Sequence, residues 1–223
     1  LCKKRLDVRL GYGRFRMKFN IVALFFAAFC LVSTAQSEET RRIVAIGDSL
    51  TAGYGLPTGE DFVTQLEIAL QAEGYDVEIE NAGVSGDTSA GGLQRLDWAI
   101  GNGADFVILE LGANDALRGI DPEETRKNLS QIIEVIQEKG IPILLAGMRA
   151  PPSMGSEYTE AFDGIFPELA SEYKTGYYPF FLEGVAADPT LNQDDYIHPN
   201  AEGVKVIVSN MLPYVTAFID KKD

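Results

Sequence analysis

Cysteine, histidine and tryptophan are nearly absent from this chain, which has two cysteines, one histidine and one tryptophan among 223 residues. Both cysteines, Cys2 and Cys30, lie in the first 30 residues, so the rest of the chain cannot form a disulfide. One histidine without a nearby cysteine also argues against a catalytic zinc site. Any proton transfer by an imidazole near neutral pH must use that histidine, His198.

Basic residues are scarce as well. The chain has 19 Lys and Arg against 33 Asp and Glu, a formal net charge of −14. Residues 1–35 hold seven of the basic residues and one of the acidic ones, so 12 basic and 32 acidic residues remain beyond them, a net charge of −20. A surface this acidic repels nucleic acid and anionic membranes, and we expect neither as a partner.

The first 35 residues are typical of a targeting segment. A basic stretch precedes Met17 and Lys18, an apolar run follows at residues 21–32, and small residues come next. The run is too short for a permanent membrane span. We interpret residues 1–35 as an upstream extension and a signal peptide that starts at Met17 and is cleaved after Ala35. The expected product is periplasmic or secreted, has no thiol and keeps no stable membrane anchor.

Residues 36–223 alternate between strand-like and helix-like segments, without repeats. The length of 188 residues suits a single domain, which we expect to be monomeric. Apolar runs predict strands at residues 43–46, 77–80, 105–111, 141–146 and 178–181. Helical apolar spacing lies between them and after the last one. It predicts a helix through Leu93, Leu96 and Ile100, a helix capped by Asp121 with one apolar face, and a last helix capped by Asn200. The apolar face of the second of these is formed by Leu129, Ile132, Ile133 and Ile136. This alternation predicts an α/β fold, a three-layer α/β/α sandwich with a five-stranded parallel sheet in a flavodoxin-like order.

Polar residues follow the strands at their carboxyl ends, where ligands bind in such a sheet. The run at residues 43–46 is followed by Gly47, Asp48 and Ser49, which places Ser49 well for a nucleophile. The same tripeptide also suits an ordinary strand-to-helix turn, with Asp48 or Ser49 as the cap. The tripeptide alone therefore leaves both interpretations open.

The second indication of a catalytic site is the spacing of Asp195 and His198. One tight turn can bring the carboxylate of Asp195 to Nδ1 of His198 and leave Nε2 free to accept a proton from Ser49. A lone histidine is more often an ordinary surface residue. The neighbouring carboxylate favours a Ser-His-Asp triad of Ser49, His198 and Asp195.

Four motifs in order resemble the conserved blocks of the GDSL, or SGNH, hydrolases. They are Gly-Asp-Ser-Leu at residues 47–50, the loop 84–89 around Gly86, Gly-Ala-Asn-Asp at 112–115, and Asp-Tyr-Ile-His-Pro at 195–199. Within that family the chain is similar to the periplasmic multifunctional acyl-CoA thioesterases, lysophospholipases and arylesterases of Gram-negative bacteria. One departure is Ala113, where that subgroup usually has glycine.

The resemblance implies a serine esterase or thioesterase that acts on aryl esters, acyl-CoA and lysophospholipids through an acyl-enzyme on Ser49. It assigns the oxyanion hole to the backbone N–H groups of Ser49 and Gly86 and to the Asn114 side chain. A missing Cβ at Gly86 would let the backbone approach the substrate closely. The partner expected is a small-molecule or lipid acyl substrate, and no cofactor or metal is predicted.

The long loop after the fourth predicted strand is a candidate acyl-binding segment. It leaves the sheet at the same edge as Ser49. Its apolar residues, which we expect to contact the acyl group, are Met148, Pro151, Pro152 and Met154.

Three alternatives remain. A carbohydrate acetylesterase of the same family would use the same triad on a different substrate. A flavin- or phosphate-binding module would use Ser49, Thr51 and Gly53 as a phosphate loop, but it leaves Asn114 and the Asp195–His198 pair without a purpose. A calcium site at Asp188, Asp194 and Asp195 is the third.

Overall fold

The computed structural model describes residues 40–101 and 103–221 of the chain. The predicted signal peptide, the cleavage site after Ala35, and Cys2 and Cys30 lie outside these residues. Five parallel strands form one sheet in the order β2-β1-β3-β4-β5. Their bounds are β1 (Arg41–Gly47), β2 (Val77–Gly83), β3 (Phe106–Glu110), β4 (Ile143–Ala146) and β5 (Gly176–Tyr178). This confirms the predicted flavodoxin-like order.

The burial of each strand matches its place in the sheet. β1, β3 and β4 occupy the interior, and residues 43–47, 106–110 and 143–146 are buried throughout. Such strands are covered on both faces, which is why their sequences are continuous apolar runs. β2 lies at one edge, and its residues 77–80 alternate between buried and exposed, as their alternation of apolar and acidic residues predicts.

Two groups of helices cover the sheet. The helices are α1 (Ser49–Ala52), α2 (Phe62–Ala72), α3 (Ser89–Gln94), α4 (Leu96–Ile100), α5 (Ala113–Arg118), α6 (Pro122–Glu138), α7 (Ser156–Tyr173) and α8 (Ala201–Asp220). Helix α2 packs against α8, whereas α3 packs against α6 and α6 against α7. Crossovers between parallel strands are right-handed as a rule, and with this strand order the rule puts the two groups on opposite faces, which gives the predicted three layers. None of the described helices is long and apolar enough to span a bilayer.

The longer helices begin where the sequence predicts. Asp121 caps α6 by accepting from the backbone N–H of Glu123, and Asn200 caps α8 by accepting from those of Glu202 and Gly203. A cap of this kind contributes about 1 kcal/mol. The predicted apolar face of α6 is buried at Leu129, Ile132, Ile133 and Ile136.

Two predicted elements differ from the structure. The single helix expected around residues 93–100 is two short helices, α3 and α4, that meet at Arg95, whose φ of −102° and ψ of 6° interrupt the helix. The fifth strand, expected at residues 178–181, ends at Tyr178. Pro179 follows and has no N–H to donate to the sheet, so the strand cannot continue in register.

The order of the strands creates a crevice at their carboxyl ends. From β1 the chain moves to β2 on one side of the sheet, and then returns to β3 on the other side of β1. The loops after β1 and β3 therefore leave the sheet in diverging directions, which opens the space where ligands bind in such folds. The candidate residues Ser49 and Asn114 follow these two strands.

Candidate active site

The candidate nucleophile Ser49 lies in a sharp turn between β1 and α1. Asp48 caps α1 by accepting a hydrogen bond from a backbone N–H of that helix at 2.9 Å. Ser49 is the first residue of α1, so its own N–H has no partner within the helix. The turn needs a glycine at position 47, because a Cβ there would overlap the side chains of Thr51 and Glu110. Close packing therefore fixes the position of Ser49.

The three triad candidates form a continuous hydrogen-bonded chain. Ser49 Oγ lies 2.9 Å from His198 Nε2, and His198 Nδ1 lies 2.6 Å from Asp195 Oδ2. This is the arrangement in which an imidazole can take a proton from the serine while the carboxylate holds the ring. The structure thus brings together all three residues that the sequence singled out.

The turn from Asp195 to His198 orients the carboxylate. Asp195 Oδ1 accepts from the backbone N–H groups of Ile197 and His198, both at 3.0 Å. Tyr196 has a φ of 61°, in the left-handed region, and this tightens the turn. Desolvation raises the pKa of Asp195, but the hydrogen bonds from His198 and Ile197 outweigh it and lower the pKa to about 2. The carboxylate therefore stays ionised wherever an imidazole titrates.

Contacts with the loop after α1 hold the histidine in place. The rings of Tyr54 and His198 lie 4.6 Å apart between centroids, at an angle of 41°. Gln193 Nε2 donates to the carbonyl oxygens of Tyr54 at 2.7 Å and Pro199 at 2.9 Å. Asn192 and Pro199 form an antiparallel bridge that closes the loop at its base. No sequence pattern had identified Tyr54, because its contact joins segments more than 140 positions apart.

Of the three predicted oxyanion donors, the structure brings two to one cavity. Ser49 and Asn114 both line it, whereas Gly86 does not. Asn114 Nδ2 donates to Asp48 Oδ2 at 3.0 Å, which leaves the second hydrogen of the amide for a ligand. Gly86 has a φ of 85°, which glycine adopts readily. Arg118 Nη2 donates to the Gly86 carbonyl at 2.7 Å and so ties the Gly86 loop to α5, the helix that carries Asn114.

Ala113 does not disturb this loop. It is the first residue of α5, a conformation that alanine favours, and the turn before it is made by Gly112 with a φ of 119°. The departure from the usual glycine is therefore accommodated.

A cavity of about 810 Å³ opens beside Ser49. Its wall includes Met148, Pro151 and Pro152 from the loop after β4, as predicted. Met154, which we expected there too, is not among the lining residues. The 3₁₀ helix Pro152–Met154 turns this side chain towards Gly119, where a Cβ would lie 3.4 Å from the methionine methyl group. The acyl-binding prediction is corrected at Met154.

A buried pair of carboxyl groups, which no sequence pattern predicts, supports the Ser49 turn. Asp48 and Glu110 are both fully buried. Desolvation raises the pKa of Asp48 to about 6, although hydrogen bonds from Leu50 and Asn114 act in the opposite direction. Desolvation, followed by the charge of Asp48, raises the pKa of Glu110 well above its usual range. Both carboxyl groups therefore hold a proton more readily than free carboxyl groups do. The only signal in the sequence is an acidic residue at the end of an apolar strand.

Arg95 joins the ends of β1 and β2. Its guanidinium donates to the carbonyl oxygens of Ala82 at 2.7 Å and Gly47 at 2.8 Å, and it forms an ion pair with Asp87. These contacts fix the carboxyl ends of two neighbouring strands just before the Ser49 turn and the Gly86 loop.

Asp115, next to Asn114, is also buried and connects three helices through hydrogen bonds. Its carboxylate accepts from the N–H and hydroxyl of Ser89, and from the hydroxyl of Thr125 at 3.2 Å. Asp115 therefore connects α3, α5 and α6 behind the candidate oxyanion donors.

Two of the three acidic residues considered for calcium, Asp188 and Asp195, make other contacts. Asp188 accepts from the N–H and the hydroxyl of Thr190, at 2.8 and 2.7 Å, and Asp195 is engaged with His198. Within residues 40–101 and 103–221, no group of three or more histidine, cysteine, aspartate or glutamate side chains is arranged to hold a metal ion.

Known proteins are similar to this chain in sequence and in fold. A model described as the GDSL-like Lipase/Acylhydrolase family matches residues 45–206. The chain is 37% identical to "Esterase TesA" of Pseudomonas aeruginosa over 85% of its length and 95% of the relative's. It is 35% identical to "Thioesterase 1/protease 1/lysophospholipase L1" of Escherichia coli over 87% of its length and 94% of the relative's.

A solved structure, that of AlinE4, described as an SGNH-hydrolase family esterase, is 50% identical in sequence. It superimposes with a TM-score of 0.69 over 80% of this chain and 96% of that one. The family match covers well over half of the chain, and its boundaries enclose the Ser49 turn, the Asn114 loop and the Asp195–His198 turn. The chain belongs to the GDSL-like lipase/acylhydrolase family and is a serine ester hydrolase.

Proposed function

We propose that this hydrolase works through a covalent acyl-enzyme on Ser49. His198 Nε2 takes the proton from Ser49 Oγ as the oxygen attacks the acyl carbonyl, and then gives it to the leaving group. Asp195 holds the imidazole through Nδ1 and stabilises its positive charge. The observation that carries this assignment is the Ser49–His198–Asp195 chain, with separations of 2.9 and 2.6 Å, at the wall of a large cavity.

The negative charge on the substrate oxygen would be stabilised by the Ser49 N–H and the Asn114 amide, with the Gly86 N–H as the third donor. Such donors act mainly in the transition state, where the charge develops. The support for Ser49 and Asn114 is their position on one cavity wall. For Gly86 it is the hydrogen bond from Arg118, which keeps that loop next to α5.

We propose acyl esters and thioesters as the substrates, including aryl esters, acyl-CoA and lysophospholipids. The cavity wall near Ser49 offers Met148, Pro151, Phe180 and Leu182, which suit a hydrocarbon chain. Polar side chains such as Arg149, Thr159 and Asp163 line the cavity too, but most of its exposed wall is apolar, which favours an acyl substrate over the acetylated carbohydrates of the alternative. The printed names of the relatives, a thioesterase and a lysophospholipase among them, agree with the proposal.

A panel of substrates tests this choice. We expect hydrolysis of p-nitrophenyl esters and acyl thioesters, with KM falling as the acyl chain lengthens, because each buried CH₂ contributes about 0.8 kcal/mol. Replacing Met148 or Pro151 by serine should weaken this dependence on chain length and leave acetate hydrolysis within about threefold. Met154→Ser is the matched control from the same loop and should keep the preference. Equal losses for acetate and long-chain esters would mean that the loop is only structural, and activity on acetylated sugars alone would favour the alternative.

We also propose that the chain is exported and processed after Ala35. The support is the basic, apolar and small-residue order of residues 17–35. Protein recovered from the periplasmic fraction should begin at Gln36 and contain no cysteine, which N-terminal sequencing and intact mass both measure. A recovered product that retains Cys30 would contradict the proposed cleavage site.

A further inference from the structure

Glu110 has no place in the triad, yet it is buried directly behind the Ser49 turn. It is the last residue of β3, which pairs with β1, the strand that leads into that turn. Its Oε2 accepts from the hydroxyl of Thr51 at 2.8 Å and from the N–H of Asp48 at 3.3 Å. Within the described part of the chain, Oε1 has no hydrogen-bond donor directed at it. This oxygen is therefore free to carry a proton.

The carboxyl groups of Glu110 and Asp48 are hydrogen-bonded to one another inside the protein. Two carboxylates this close in a buried site repel one another strongly, so near neutral pH the pair shares one proton. The remaining donors around them decide which group holds it. Asp48 has a donor at each oxygen, Leu50 N at 2.9 Å on Oδ1 and Asn114 Nδ2 at 3.0 Å on Oδ2, and both bonds favour its ionised form. Both donors to Glu110 reach Oε2 and leave Oε1 open. The proton therefore resides on Glu110.

The charge state of Asp48 determines how Asn114 is oriented. An ionised carboxylate can only accept hydrogen bonds, so it selects the amide orientation in which Nδ2, and not the amide oxygen, faces it. The second hydrogen on Nδ2 is then available to the cavity. A protonated Asp48 could instead donate to the amide oxygen, which would remove this selection.

We propose that Glu110 is a positioning residue: its neutral carboxyl donates a hydrogen bond to the Asp48 carboxylate and thereby fixes the Asn114 amide as an oxyanion donor. Glu110 does not touch the substrate and acts through Asp48. This inference rests on the proposed oxyanion role of Asn114.

The test compares Glu110→Gln with Glu110→Leu. Glutamine keeps a donor for Asp48 and an acceptor for Thr51, whereas leucine removes both. We expect Glu110→Leu to lower kcat roughly 10- to 100-fold with KM little changed, because the oxyanion donor is misplaced and not deleted. Glu110→Gln should recover most of that loss. A Glu110→Leu enzyme with the wild-type kcat, or a Glu110→Gln enzyme as impaired as the leucine variant, would overturn the proposal.

Thr51→Val is the matched control. It removes the other side-chain partner of Glu110 from the same buried site, preserves the shape, and leaves the bond to Asp48 in place. It should lower Tm and keep kcat within about threefold of wild type, since a single buried hydrogen bond contributes about 1 kcal/mol to stability. If Glu110 were merely structural, Thr51→Val and Glu110→Leu would lose activity in proportion to their loss of stability.

The pH dependence of stability tests whether Glu110 carries a proton, and it does so even if the leucine variant does not fold. Below about pH 4.3, a glutamate is protonated in the unfolded chain as well as in the folded protein. As the pH rises, the unfolded chain releases this proton while the folded protein keeps it, so the wild type loses stability. Glu110→Gln has no such proton. The Tm of Glu110→Gln minus that of wild type should therefore increase between pH 4 and pH 8, and a constant difference would contradict a neutral Glu110.

The acid side of the kcat profile should also separate the variants. The titratable groups that act on Asp48 are Glu110 and His198. Without the donor from Glu110, Asp48 should ionise only at a higher pH, so the acid limb of Glu110→Leu should move to higher pH while that of Glu110→Gln stays in place.

Labelling each variant with an organophosphonate counts the active serines. No label on wild-type Ser49 would reject the proposed function, whereas full labelling with identical kcat profiles would reject only the role of Glu110.

Discussion

Replacing Ser49 by alanine should lower kcat by about 10⁶-fold, which corresponds to about 8 kcal/mol of lost transition-state stabilisation. The alanine variant has no atom that can form the acyl-enzyme, so only slow hydrolysis by water in the cavity remains. Ser49 is nearly buried and its Cβ stays in place, so the fold should be unaffected. The measurement is steady-state hydrolysis of a p-nitrophenyl ester, together with the mass of the enzyme after treatment with an organophosphonate.

The control for this experiment is Ser153→Ala, an exposed serine on the loop after β4. It should keep kcat within about twofold, because surface changes away from the reacting atoms have little effect. Wild type and Ser153→Ala should each gain one phosphonyl group, and Ser49→Ala should gain none. A Ser49→Ala enzyme that retains more than about 1% of the wild-type kcat would rule out the acyl-enzyme on this residue.

The second large effect is expected at Asn114. Asn114→Ala should lower kcat by about 10²- to 10³-fold and leave KM nearly unchanged, as removal of one oxyanion donor does in other hydrolases. The reason is that the amide stabilises charge that exists only in the transition state, so binding of the neutral ester is hardly affected. Full kinetic curves for kcat and KM on a short aryl ester measure this separation.

Two further variants sharpen the result for Asn114. Asn114→Asp places a second acid next to the Asp48 carboxylate and cannot donate when ionised, so it should be at least as impaired as alanine. Asn128→Ala removes a similar half-buried amide, which donates to Ser89 Oγ at 3.0 Å, away from the cavity. It should reduce stability and preserve kcat. If Asn114→Ala stayed folded and within a few-fold of the wild-type kcat, Asn114 would not belong to the oxyanion hole.

The parts of the site that follow from sequence are those set by local geometry. Asp195 and His198 are three positions apart, so a single turn brings them together whatever the rest of the fold does. Ser49 and Asn114 each follow an apolar strand, and parallel strands present their carboxyl ends at one edge. Capping at Asp121 and Asn200 likewise depends only on neighbouring backbone groups.

The parts that did not follow depend on which strands are neighbours. Glu110 meets Asp48 only because β3 lies beside β1, a relation that no local pattern contains. Arg95 reaches the ends of two strands from a break between helices, and this interaction accompanies the interruption of the predicted single helix. Met154 was expected at the cavity because it is apolar and close to Pro151. A short 3₁₀ helix rotates it away, and an irregular loop carries no periodicity from which that rotation could be inferred.

The contact between Tyr54 and His198 lets the NMR signals of the His198 imidazole report on the site without a label. The chain has a single histidine, so its imidazole proton signals in an NMR spectrum need no assignment by mutation. The tyrosine ring, 4.6 Å away, displaces those signals through its ring current as long as the two loops remain together. One resonance therefore reports both the protonation of His198, the proposed catalytic base, and the separation of the loop after α1 from the loop before α8, in intact enzyme and without a label.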